Sequence, residues 1–127
     1  MDMREPAWVE MSRTQLENIQ ALDERWDGYK AGSVRRDVVF YAQAVLNKIM
    51  KSRTPAPHVA PMSHEGVMIE WHTKGIDLEI EIERPGSVWV SFEDAWTKKE
   101  YEGQLTNLSK LQDLIDELTK RSSVTAP

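Results

Sequence analysis

Read from the amino terminus, apolar residues first fall into step at Leu16, Ile19, Leu22 and Trp26, spaced by threes and fours as on one face of a helix. Ser12 and Gln15 have the spacing of a capping box ahead of that stripe, so the pattern predicts a helix from Ser12 to Arg25 or Trp26. Within Trp26-Asp27-Gly28-Tyr29, Gly28 supplies the stop, since glycine enters the left-handed conformation at little cost. A second stripe, Val38, Val39, Ala42, Val45, Leu46 and Ile49, predicts a helix from Ser33 as N-cap to about Met50. Leu108, Leu111, Leu114, Ile115 and Leu118 predict a third, from about Asn107 to Lys120.

Between the second and third helices the period becomes two. Val67, Ile69 and Trp71 alternate with Met68, Glu70 and His72, and Ile76, Leu78, Ile80 and Ile82 alternate with Asp77, Glu79, Glu81 and Glu83. With Lys74-Gly75 as a two-residue turn, Trp71 faces Leu78 and Ile69 faces Ile80, which gathers the apolar side chains on one face. A third strand, Val88 to Glu93, follows the turn Arg84-Pro85-Gly86-Ser87. A tight turn at Pro85-Gly86 would bring Trp89 inward, whereas a one-residue bulge would bring Val88, Val90 and Phe92 inward. The second arrangement buries more apolar surface and is preferred, leaving Trp89 on the outer face. Residues 51–66, with Pro55, Pro57 and Pro61, read as an extended connector lying partly along the sheet edge or core. Residues 94–103 read as a loop or a short extra strand.

The expected architecture is a single α+β domain over residues 1–127. It has two N-terminal helices, a three-stranded antiparallel β-meander and a C-terminal helix packed on one sheet face, with residues 1–11 and 122–127 as flexible ends.

Composition narrows the chemistry. The 127 residues are 40% hydrophobic and 29% charged, as in a globular domain. The chain has no cysteine, which excludes disulfides, thiolate nucleophiles and cysteine-ligated metal. A secretory leader and a long apolar run are both lacking, so a cytoplasmic location is expected. The formal net charge of −5 opposes approach to phosphate backbones and anionic lipid, so neither nucleic acid nor membrane is expected as a direct partner. Another protein with a basic surface is. The glycines form neither a phosphate loop nor a dinucleotide fingerprint, so no cofactor is expected.

His64-Glu65-Gly66-Val67-Met68 starts like a zinc-protease motif but has Met68 in place of the second histidine. His64 and His72 stand at the ends of a strand, ~20 Å apart, and cannot share one ion with Glu70, so no metal ligands are assigned. Asp77, Glu79, Glu81 and Glu83 project from one strand at intervals of about 6.8 Å, with Glu70 beside them. Paired carboxylates can act as general acid and base, but that chemistry needs a cleft and unequal pKa values, which an open ladder lacks. The row is therefore either a solubilising face or, with Trp89 and Met68 among the charges, a docking face for a basic partner. Trp26, Asp27 and Tyr29 form a second candidate: an aromatic recognition loop, or a helix stop whose rings cap the core.

The runs Glu24-Arg25-Trp26-Asp27-Gly28-Tyr29-Lys30-Ala31, Pro55-Ala56-Pro57-His58-Val59-Ala60-Pro61 and Gly66-Val67-Met68-Ile69-Glu70-Trp71-His72 are similar to a family of small uncharacterised bacterial and phage proteins. Its members carry a WDGYGA segment, a helix, a P-x-V-x-P connector and a GG-V-x-L-E-W strand leading into an acidic hairpin. The resemblance spans Ala21 to Leu118. The chain departs from it in reading Lys30-Ala31-Gly32 for Gly-Ala and in lacking the proline that opens the second helix. The resemblance implies the same α+β fold and carries no established activity.

The sequence thus points first to a non-catalytic protein-interaction module, of an accessory, antitoxin-like, immunity or defence-countering kind. Two other classes stand beside it. One is a small hydrolase or a ligand- or metal-binding domain built on Glu70, His72 and Asp77; the other is a structural subunit that associates with itself as a homodimer.

Overall fold

A computed structural model of the protein describes residues 6–22, 34–63 and 65–122. In chain order the elements are α1 (Ala7–Gln20), α2 (Arg36–Ile49), β1 (His58–Pro61), β2 (Val67–Thr73), β3 (Ile76–Arg84), β4 (Ser87–Asp94), β5 (Glu100–Leu105) and α3 (Ser109–Ser122). The α+β class is as expected. The sheet, however, has five antiparallel strands in chain order, so the expected three-stranded meander is its centre. One added strand comes from the proline-rich connector and the other from the segment read as a loop or short strand.

The first helix starts at Ala7, not Ser12. Its buried face is Trp8, Ser12, Leu16 and Ile19, so Ser12 lies inside the stripe and is not a cap. Pro6, extended at ψ 146°, marks the actual entry. Gln15 likewise reaches away from the helix terminus, to β1. Residues 23–33, which hold the expected stop and the expected cap Ser33, lie outside the described residues, as does His64. The second helix begins at Arg36 after an extended Arg35, and all six residues of its predicted stripe are buried.

Alternation builds the sheet as expected. Trp71 pairs with Leu78 and Ile69 with Ile80, and these side chains are buried beneath the helices together with Val88, Val90 and Phe92. Each such aliphatic group contributes roughly 1.5–3 kcal/mol by leaving water. A slip by one residue would expose the whole row, and this fixes the register.

The two solutions for the third strand prove compatible. Arg84 pairs with Ser87 around a tight Pro85-Gly86 turn, and the register then shifts so that Ile82 pairs with Val88. Glu83 is the extra residue. The bulge at Glu83 restores the parity that the tight turn would otherwise invert.

Side chains from both layers hold the long connector. The Trp8 Nε1–H donates to the Lys51 carbonyl at 2.9 Å, and the Trp71 Nε1–H to the Pro55 carbonyl at 2.8 Å. Thr119 donates its hydroxyl to the Ile115 carbonyl, so the 2.7 Å bond between Thr54 and Thr119 runs from the Thr54 hydroxyl to Thr119 Oγ1. Thr54 Oγ1 in turn accepts the Lys51 N–H. Residues 51–57 are thereby tied to α1, β2 and α3.

Candidate functional site

The pleat leaves one sheet face with no helix over it among the described residues. Cross-strand pairing arranges that face in rows: His72, Asp77, Glu93 and Glu100; then His58, Glu70, Glu79, Ser91 and Glu102; then Ala60, Met68, Glu81, Trp89 and Gln104. No lysine or arginine stands in any of these rows. Directly opposed residues lie ~4.5–5.5 Å apart, close enough for like charges to destabilise the sheet. Glu70 opposes Glu79, Asp77 opposes Glu93, and Glu93 opposes Glu100. In the last row Trp89, 39% exposed, sits between Glu81 and Gln104.

The electrostatics follow from this crowding. Partial burial, then the nearby Glu81 and Glu70 carboxylates, push the Glu79 carboxyl above its ordinary pKa. His72 is the local counter-charge: its Nδ1 lies 2.7 Å from Asp77 Oδ1 and its Nε2 3.2 Å from Glu70 Oε2. The hydrogen bond to Asp77, then that to Glu70, raise the imidazole pKa, because both ring nitrogens donate when it is protonated. The Glu70, His72 and Asp77 trio is thus brought together, but with the carboxylates on opposite edges of the ring. One ion cannot bridge such a set. Among the described residues, no group of three or more His, Asp or Glu side chains is placed to hold a metal.

Of the residues singled out from sequence, Glu70, Asp77, Glu79, Glu81 and Trp89 share this surface. Glu83 is exposed at the bulge and lies outside the paired rows. Trp26, Asp27 and Tyr29 fall outside the described residues. Sequence reasoning missed Glu93, Glu100 and Glu102. A signal was present in the alternation of Glu100, Glu102 and Gln104 with Tyr101 and Leu105, but Gly103 interrupts it.

A second cluster was missed altogether. Arg121, at the end of α3, makes a two-pronged ion pair with buried Asp94, at 2.7 and 2.6 Å. Asp94 Oδ1 also accepts the N–H groups of Trp96 and Thr97. Arg121 foremost, with these amides, holds the Asp94 carboxyl well below the usual range. The guanidinium stacks on the Trp96 ring, 4.5 Å from its centroid. The other side of that ring's neighbourhood is Gly75, where an added Cβ would lie 2.6 Å from Trp96 Nε1 and where φ is +83°. The cluster joins two hairpin turns to α3.

No protein-family model matches the chain, and no curated protein or solved structure matches it either. No helix among the described residues is long and apolar enough to cross a membrane.

Proposed function

We propose that the protein is a non-catalytic interaction module whose open sheet face receives a basic protein. The observation that carries this reading is the set of opposed carboxylates, Glu70 with Glu79 and Asp77 with Glu93, in cross-strand rows that hold no lysine or arginine. Like-charge opposition lowers the stability of the free protein, and a partner's cations relieve it on binding. Trp89 and Met68 add apolar anchors amid the charges, the composition of a docking surface. His72, held between two carboxylates, is poorly placed to serve as a free base. The accessory, antitoxin-like, immunity and defence-countering roles all consist of such docking.

The test is charge reversal on the face. A Glu79→Lys/Glu81→Lys variant should bind a basic partner, recovered with the unaltered protein as bait, about tenfold or more weakly and with a shallower salt dependence. Unchanged affinity and salt dependence would remove the face from the contact.

A further inference from the structure

The two edges of the sheet differ in what they offer. At β1, the Met62 N–H to Gly66 carbonyl bond sets the phase of the ladder. By that phase, residues 57, 59 and 61 direct their backbone groups away from β2. Pro57 and Pro61 have no N–H to present. The Val59 N–H is taken by Gln15 Oε1 at 2.7 Å, and the Pro57 carbonyl accepts from Gln15 Nε2 at 3.2 Å. This edge has no donor left.

At β5, the Asp94 N–H to Lys99 carbonyl bond sets the phase, with Glu93 paired to Glu100. Tyr101, Gly103 and Leu105 therefore bond to β4, and Glu100, Glu102 and Gln104 turn their N–H and carbonyl groups outward. No backbone bond joins those groups to any described residue outside the sheet. The side chains of the same residues stand on the acidic face. Behind the strand, a cavity of about 380 Å³ lies between β5 and α3, lined by Phe92, Tyr101 and Leu114 with Lys110, Asp113 and Glu117.

We infer that β5 is where a partner adds a strand: an extended basic segment of another protein, alternating Lys or Arg with apolar residues, pairs along Glu100–Leu105 as a sixth strand. This rests on the reading of the acidic face given above. Its cationic side chains meet Glu93, Glu100 and Glu102, and its alternate apolar side chains point toward the Tyr101 and Leu114 groove. Main-chain bonds supply affinity in this mode of recognition, and the groove and charges supply selection. A second copy of the chain is disfavoured as the occupant. Pairing two β5 edges would set Glu100 and Glu102 against the same residues of the copy.

The test uses a labelled, end-capped peptide, Lys-Val-Lys-Val-Lys-Val-Lys, and the full-length protein, with binding followed by fluorescence anisotropy. N-methylation of one alternate set of residues removes the N–H groups on one peptide edge and leaves the other edge intact. Methylating one set should weaken binding about tenfold or more, and methylating the other set should leave it nearly unchanged. On the protein, Glu102→Pro should weaken binding well beyond Glu102→Gln, since it also removes an outward N–H without breaking the ladder to β4. Binding that tolerates both methylation patterns, or suffers equally from either, overturns strand addition. If that occurs while Glu79→Lys/Glu81→Lys still abolishes binding, the acidic-face reading stands and the edge inference alone falls. If the double reversal leaves peptide binding unchanged, the acidic face falls, and the methylation pattern still decides the edge.

Discussion

Ser12 lies in the middle of the buried face of α1, and its hydroxyl has no hydrogen-bond partner among the described residues. A desolvated, unpaired hydroxyl is unfavourable, and alanine is also the better helix former. Ser12→Ala should therefore raise unfolding free energy by about 1 kcal/mol, read from the denaturant midpoint at unchanged slope. Asp94 behaves in the opposite way. Its folded-state pKa is depressed, so its ion pair stabilises fully above the unfolded carboxylate value, near ~4, and is lost as pH falls further. Asp94→Asn should lower the melting temperature clearly at pH 7, and the gap from the unaltered protein should narrow as pH drops below about 4. A constant gap across that range would mean the carboxylate charge is not what holds α3 to the two turns.

Among the elements, β1 is held by a side chain of α1 as well as by its partner strand. Gln15→Ala would leave the Val59 N–H and the Pro57 carbonyl without their α1 partner, and should cost about 1–3 kcal/mol in a denaturant titration. It should also speed amide exchange at Val59. The helices and the central hairpins were legible because their periods are clean: six of six stripe positions in α2 are buried, and the Lys74-Gly75 turn gives the expected pairs. The ends of α1 were not. A serine in the buried stripe has the same letter as a cap, and only Trp8, packed from outside the visible pattern, shows that the helix continues. β1 was hidden for a related reason, since its prolines look like breakers although they sit where the ladder needs no N–H.

Over the whole molecule, the charge distribution is what the one-sided packing exposes. Glu79 carries a raised pKa, so its ionised form is a penalty at neutral pH that disappears as pH falls through its folded value. Glu79→Gln should stabilise the protein by about 0.5 kcal/mol at pH 7 and low salt. That advantage should shrink both on acidification and on raising ionic strength, while affinity for a basic ligand drops. A loss of stability in the variant would show that the carboxylate is favourably held. The acidic strand was readable from sequence as a row of alternating glutamates. Its extension onto β5 was obscured by Gly103 within the alternation, and the Asp94 and Arg121 pair was not readable because its two residues meet only after the hairpins close.

The closed edge at β1 also limits stoichiometry. Fibre growth through strands requires a molecule to accept a neighbour on one flank and offer the other, and here proline and a glutamine side chain terminate one flank. A strand added at the opposite flank therefore cannot be relayed through this sheet to a further neighbour on the β1 side, and the protein contributes one strand-accepting edge to any complex built this way.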